Sequence, residues 1–337
     1  MTSMRAALFN WRNISFQSDY AKPKCGAENL LIRVKAAAIN PVDYKFGWPM
    51  KGPIVGVDVA GVIEEKGEKV GEEFKVGDEV FGAANLQSGS LADFTLSQPS
   101  RVAHKPKHIS FVEAAAMYVT YMTSLQSLRD YGKLCKDDRV LVIGASGGCG
   151  TAGIQLAKAM GAKDIVGVCS GKNEEFVKSL GATDVIDYTK EIIKDHCLDN
   201  SGEVDPALKF DVIYDAATNS GAGEDYLDIS MELLKPATSD KKHGQYVAIN
   251  GSPSMWLRKF TIGFKPNQYL LTIQESAEDL QHLAKLVDDG WTNSDGVQEY
   301  LKPIIAEELQ FTAESVDKGF DLLKSRRTKG KIVFTMD

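Results

Sequence analysis

Cysteine is scarce in this chain and unpatterned. Its five cysteines (Cys25, Cys135, Cys149, Cys169, Cys197) are odd in number, scattered over 337 residues and without a CxxC pair. They indicate neither a disulfide framework nor a zinc knot, and a reducing compartment, the cytoplasm, fits best. Long hydrophobic runs are missing too: none reaches the ~18 residues that a membrane-spanning helix needs, so no integral membrane segment is expected. Residues 1–12 hold no apolar core of a secretory signal, and one early arginine makes a poor transit peptide. Positive charge is in deficit, with 39 Lys and Arg against 46 Asp and Glu, a net charge of −7, and one basic cluster over 324–331. An acidic chain of this kind is a poor partner for nucleic acid. The five histidines (His104, His108, His196, His243, His282) show no metal-ligand spacing and receive no role.

What is present is a glycine-rich turn. An apolar strand, Val140-Leu-Val-Ile143, runs into Gly144-Ala-Ser-Gly-Gly-Cys-Gly150, and Thr151 to Met160 follow at helical spacing. A pyrophosphate sits on backbone N–H groups at a helix N-terminus, where a Cβ at the tightest point would hold it away. A plain strand–turn–helix carries such a string as well, so the context decides. Asp164–Cys169 reads as a second strand, Asn173–Leu180 as a helix, and 181–187 as a turn into a third strand. Phe210–Asp215 and Gln245–Ile249 are further short apolar runs. Continuous apolar runs imply strands buried on both faces. The pattern is α/β: a Rossmann-type, doubly wound parallel sheet.

More than a hundred residues precede that turn, and 337 residues exceed the size at which one core stops growing. Another domain therefore comes first. Leu30–Ala36 alternates, Gly56–Ile63 is a small-residue strand, and Phe74–Phe81 is a turn into another, which suggests a small β-barrel.

Here the residues resemble a family. Val34–Asp43, Gly56-Val-Asp-Val-Ala-Gly-Val-Ile-Glu64, Lys75–Val80 and Gly89–Phe94, then the glycine turn and Gly330-Lys-Ile-Val333, are similar to the medium-chain dehydrogenase/reductase superfamily over nearly the whole chain. The resemblance implies a GroES-like substrate domain, residues 1–118 and 275–337, around a Rossmann domain at 119–274, with the active site in the cleft between them. Zinc members place a cysteine where this chain has Asn40, a Gly-His-Glu where it has Gly56-Val57-Asp58, and another cysteine near Val119. They also carry four clustered cysteines, whereas 85–100 contain none. Both zinc sites are expected to be absent. Zinc stabilises an alkoxide that otherwise does not form near neutral pH, so the expected substrate is one that delocalises negative charge itself, a quinone or a conjugated carbonyl. The sequence looks like the zinc-free quinone oxidoreductase branch, similar to zeta-crystallin. Cys169–Tyr188 and Gly251–Trp256 look closer to the plastid-envelope quinone oxidoreductase homologue group.

The dinucleotide is expected to lie on Ser146, Gly147, Gly148, Cys149 and Gly150. An NAD-preferring site has an acid at the end of the second strand, but Val168-Cys-Ser-Gly-Lys172 has no carboxylate. Ser170 and Lys172 are expected at the 2′-phosphate of NADPH, although a loop lysine is as often a solvated charge. The resemblance adds Tyr188 at that phosphate, Thr123 facing the nicotinamide, and Lys331 reaching the cofactor's phosphate. Asn250 and Gly251, at a strand C-terminus, are expected at the carboxamide. Asn40, Asp43, Tyr44 and Lys45 replace the metal-ligand loop and are the candidates for orienting the substrate carbonyl or relaying a proton. Phe46, Trp48, Tyr118 and Tyr121 are either substrate walls or aromatic core.

A short-chain dehydrogenase is excluded. Its Tyr-x-x-x-Lys pair is matched only by Tyr20 and Lys24, interrupted by Pro23. The expectation is an NADPH-dependent, metal-free quinone reductase. An enal or enone reductase, or a non-enzymatic NADPH-binding protein of the same fold, is the alternative. A homodimer paired through 268–273 is expected from the resemblance.

Overall fold

The computed structural model describes residues 3–10, 13–45, 53–218, 225–236, 244–264 and 266–336. Two units divide the chain: Met1–Met122 with Gln274–Gly290 and Tyr300–Asp337, and Thr123–Ile273 with Trp291–Glu299.

In the first unit the strand Leu30–Ile39 exposes only Arg33, and both of its edges are occupied. Asp58–Lys66 runs antiparallel along one edge. On the other, Phe94–Ser97 pairs with its first half and Lys331–Thr335 with its second. Glu79–Ala83 and Val102–His104 extend the sheet on one side, and Ile305–Gln310 lies parallel to Lys331–Thr335 on the other. Ile32, Val34, Val59, Ile63 and Val80 form a core with Phe311, Val316, Phe320 and Phe334 from the C-terminal segment. That segment contributes the helix Ala313–Lys324, which begins where Thr312 Oγ1 accepts the Ser315 N–H at 3.2 Å. Its Gly319 lies so close to the sheet that a Cβ would stand 2.5 Å from the Phe334 ring.

The second unit is the expected parallel sheet. Its strands in chain order are Arg139–Ile143, Asp164–Cys169, Asp184–Asp187, Val212–Asp215, Gln245–Ala248 and Gln268–Leu270. They lie side by side in the order third, second, first, fourth, fifth, sixth, all parallel. The order reverses between the first and fourth strands, and ligands of such sheets bind at the strand C-termini beside that reversal. Central residues such as Leu141, Val166, Ile213 and Tyr246 are fully buried, which is why these strands read as unbroken apolar runs.

The units differ from the expected division where residues 119–122 group with the first unit and residues 291–299 with the second. Trp291–Thr292 and Gln298–Glu299 pair as a small hairpin belonging to the second unit. Glu299 is held there by the Lys158 ammonium at 2.8 Å and by Asn293 Nδ2 at 2.7 Å. Among the described residues no helix is long and apolar enough to cross a membrane.

Candidate functional site

The glycine turn closes where geometry allows no other residue. Gly144 has φ +80°, a left-handed conformation that side chains disfavour. A Cβ on Gly150 would stand 2.1 Å from the Gly144 carbonyl oxygen and 2.7 Å from Ala145 Cα. The helix Gly148–Ala159 therefore starts directly against the strand end. Its N-cap, Gly147, supplies no side-chain cap, so the terminus stays open to an anionic ligand. Ser146 Oγ accepts a hydrogen bond from Asn173.

Asn173 is a residue that sequence reasoning missed. It is 7% exposed, and its Nδ2 donates to Ser146 Oγ at 3.0 Å and to Ser170 Oγ at 3.3 Å, joining the turn to the second strand. Its Oδ1 is buried without a partner, an acceptor held ready for a donor from outside the chain. The one available signal was its position three residues after Ser170, at the end of the 3₁₀ turn Gly171–Asn173.

The same corner holds a carboxylate that the sequence concealed. Asp187, at the end of the third strand, lies against Gly171, where a Cβ would stand 2.3 Å from its Oδ2. Hydrogen bonds from the Thr189 hydroxyl first, then from the Thr189 N–H, Lys190 and Gly171, pull its carboxyl down to about 2. Lys190 balances its charge at 3.2 Å. Lys172 is exposed and pairs with no acid among the described residues, and Tyr188 is 57% exposed. Ser170, Lys172 and Tyr188 thus share one corner with a carboxylate that is already neutralised.

At the reversal of strand order, Asp215 is fully buried and accepts four hydrogen bonds: from Ala217 N–H (2.9 Å), Thr218 N–H (2.8 Å), the Thr218 hydroxyl and the Tyr246 hydroxyl (2.7 Å). This fixes the backbone that faces Gly144, whose Cβ position is 3.2 Å from Ala217. Burial first, and then the Asp215 charge, raise the Tyr246 phenol far above its ordinary range. Asn250 and Gly251 form the turn between the fifth strand and the helix Pro253–Phe260, which Ser252 caps by accepting the Met255 N–H. Thr123 is 4% exposed, and its hydroxyl makes no hydrogen bond among the described residues. The back-bonding that a helical threonine often makes belongs to Thr120, which donates to the Ala116 carbonyl at 2.8 Å.

The first unit brings together Asn40, Asp43, Asp58 and Lys331. The Asn40 N–H donates to Asp43 Oδ2 at 2.7 Å, and the Asp43 N–H returns to the Asn40 carbonyl at 2.9 Å, closing the start of the helix Pro41–Lys45. Asn40 Nδ2 donates to Asp58 Oδ2 at 3.0 Å, and the Val119 N–H donates to Asp58 Oδ1 at 3.0 Å. The Lys331 ammonium donates to Asp58 Oδ2 at 2.9 Å, to the Ile39 carbonyl at 3.0 Å and to Asn40 Oδ1. Lys331 thus corrects the expectation placed on it: it is 5% exposed, and all three of its protons are taken inside the first unit, so none is left for a phosphate.

Tyr44 is half-buried, packs on the first unit's core, and has its phenol raised by burial, with Arg326 opposing. Lys45 is exposed, and its ammonium is lowered by desolvation and by Arg326. Tyr118 and Tyr121 are aromatic core at 4% and 2% exposure, the Tyr121 hydroxyl donating to the Lys302 carbonyl. Phe46 and Trp48 lie outside the described residues.

Residues 26–123 match the model of the alcohol dehydrogenase GroES-like domain, and residues 180–334 that of the zinc-binding dehydrogenase family. A 2-methylene-furan-3-one reductase from Solanum lycopersicum is 31% identical over 95% of this chain and 75% of its own. The chloroplast envelope quinone oxidoreductase homolog of Arabidopsis thaliana is 32% identical over 80% of this chain and 81% of its own. The solved structure of the quinone oxidoreductase from Coxiella burnetii superposes with a TM-score of 0.79 at 25% identity, covering 99% of each chain.

The family description names zinc, and the residues here do not suit it. At the ligand positions stand a carboxamide (Asn40), a valine (Val57) and a carboxylate (Asp58) already paired with a buried ammonium. Zinc is held by thiolate, imidazole or carboxylate, and among the described residues no three such side chains stand together. The glycine turn with Asn173, Ser170 and Lys172 does suit a dinucleotide.

Proposed function

Because this chain belongs to the medium-chain dehydrogenase/reductase superfamily, a family of oxidoreductases, we propose that it is an NADPH-dependent, metal-free reductase of quinones. The observation that supports this most is the Lys331 ammonium seated on Asp58, in a position that zinc members give over to metal ligation. Without a Lewis acid on the carbonyl oxygen, the substrate has to spread the arriving negative charge over its own conjugated system. A quinone that takes up a hydride becomes a hydroquinone monoanion, and a proton from water completes the hydroquinone. A second reading, reduction of α,β-unsaturated aldehydes and ketones, draws support from the similarity to the tomato reductase, whose named substrate carries a methylene conjugated with a ketone.

When bound, the cofactor supplies the hydride from C4 of its nicotinamide. The helix N-terminus at Gly147–Gly150 binds its pyrophosphate, Ser170, Lys172 and Tyr188 bind the 2′-phosphate, and Asn173 braces Ser146 and Ser170. Thr123, Asn250 and Gly251 orient the nicotinamide. Asn40 meets the substrate carbonyl, while Asp43, Tyr44 and Lys45 shape its surroundings. Positioning and exclusion of water supply most of the rate.

The working form in this reading is a homodimer. Leu257, Phe260 and Ile262 are 65%, 76% and 80% exposed, the most exposed large apolar residues among those described. They lie in and just after the helix Pro253–Phe260, a few residues before the edge strand Gln268–Leu270, which makes a second copy of the chain their natural cover.

The test is NADPH oxidation in the presence of a chelator against benzoquinone, phenanthrenequinone, a 2-alkenal and a simple ketone. Turnover of the quinones or the alkenal but not of the ketone is expected and ranks the two substrate classes. Ketone turnover lost on chelation overturns the metal-free reading. Intact NADPH binding with no turnover of any acceptor makes the chain a binding protein.

A further inference from the structure

Asn40 sits where an asparagine ordinarily caps a helix with its own side chain, accepting the N–H of the second or third residue. Here that N–H, from Asp43, goes to the Asn40 backbone carbonyl instead, at 2.9 Å. The Asp43 carboxylate covers the Asn40 N–H from the other direction at 2.7 Å. The Asn40 carboxamide is thereby released from capping, and it turns to Lys331 and Asp58.

Those two neighbours dictate which way round the carboxamide sits. An ammonium can only donate and a carboxylate can only accept, so Oδ1 faces Lys331 and Nδ2 faces Asp58. A flipped amide would set NH₂ against NH₃⁺ and oxygen against carboxylate. Of the polar hydrogens in this cluster, the three on Lys331 have acceptors, the Val119 N–H is on Asp58, and the first Nδ2 hydrogen is on Asp58. The second Nδ2 hydrogen of Asn40 has no acceptor among the described residues. The ammonium drawing on Oδ1 also polarises the amide and makes that remaining N–H a stronger donor.

We infer that Lys331 and Asp58 are positioning residues that lock the Asn40 carboxamide, so that its second N–H donates to the substrate's carbonyl oxygen as hydride arrives. A fixed amide donor in a water-poor site thereby takes over part of what zinc does in the metal-dependent members. This rests on the reductase reading above. The structural role that the pair would have in any case, compensating a buried charge, has a different signature.

Lys331→Met alone strands a buried carboxylate and threatens the fold, so the informative variant is the charge-free pair Lys331→Met with Asp58→Asn. It is combined with Asn40→Ala in a cycle, using benzoquinone as acceptor. Asn40→Ala is expected to lower kcat about a hundredfold to a thousandfold, the scale of removing one donor from a developing oxyanion, with NADPH affinity unchanged. The charge-free pair should lower kcat to a similar extent, and adding Asn40→Ala to it should cost little more, because both act through one hydrogen bond. Binding of para-nitrophenol gives a readout that needs no turnover. Wild type should favour the bound phenolate, and both variants should raise its pKa alike. Multiplying losses in kcat, or a probe pKa that is the same in wild type and Asn40→Ala, overturns the inference while leaving the reductase reading intact. Failure of the wild type to reduce any acceptor overturns both.

Discussion

Asn173 Nδ2 lies 3.0 Å from Ser146 Oγ, so one buried carboxamide ties the phosphate turn to the end of the second parallel strand. A ligand that spans pyrophosphate and ribose touches both ends of this tie. Asn173→Ala should therefore weaken NADPH and NADH alike, each by about tenfold in Kd, or about 1.4 kcal/mol, as measured by calorimetric titration. Ser170→Asp should discriminate, weakening NADPH about a hundredfold, or about 3 kcal/mol, and NADH far less. Equal losses for the two cofactors in the Ser170→Asp variant would show that the 2′-phosphate lies elsewhere.

Gly150→Ala should cost stability and cofactor together. Its Cβ would meet backbone atoms at 2.1 and 2.7 Å, and backbone cannot yield as a side-chain tip can. A loss of about 2 to 3 kcal/mol in urea unfolding is expected, with cofactor affinity falling as the helix start is pushed off the strand. An unchanged midpoint would mean that the turn has slack the packing does not reveal.

Tyr118 makes alkaline stability measurable at one residue. Burial, the leading cause, raises its phenol to about 12, against an ordinary value of about 10 in the unfolded chain. Between those values the unfolded state has given up a proton that the folded state keeps. The stabilisation is thus complete below about pH 10 and lost as pH rises through about 12. Wild type should lose stability with pH more steeply than Tyr118→Phe across that window, as read by denaturant melts at stepped pH. Parallel curves would place Tyr118 in contact with solvent.

The unbroken apolar strands, the glycine turn and the β-rich first domain were legible because each is a local pattern. The strand expected over Asp164–Cys169 forms over those residues, since burial on both faces leaves one reading. Lys331 was not legible in the same way: as a basic residue near the C-terminus it resembled a phosphate ligand, and only the pairing of Lys331–Thr335 with Leu30–Ile39 brings it to Asn40. Asp187 was missed for a related reason. The search for an acid followed the end of the second strand, and the sheet delivers one from the third. The hairpin at 291–299 belongs to the second unit, where Glu299 meets Lys158, a pairing that no periodicity announces.

Lys259 bears on the proposed dimer. Asn267 C=O and Leu271 N–H bond to the fifth strand, so the Leu270 carbonyl between them faces the open edge, where the Lys259 ammonium donates to it at 2.6 Å. A lysine that occupies an edge strand's outward carbonyl restrains pairing with another sheet. Lys259→Ala should free that carbonyl and tighten self-association, seen as a rise in mass by light scattering at fixed concentration. A fall in mass would instead make Lys259 part of the interface.

The Lys331–Asp58 ion pair joins residues 273 positions apart, and the second unit lies within that span. During synthesis at roughly 5 to 20 residues per second, Asp58 emerges from the ribosome roughly a quarter of a minute to a minute before its cation. The second unit has time to fold while the first still lacks the strand Lys331–Thr335. The domain begun first is finished last, and its buried carboxylate is the group left exposed if translation stalls.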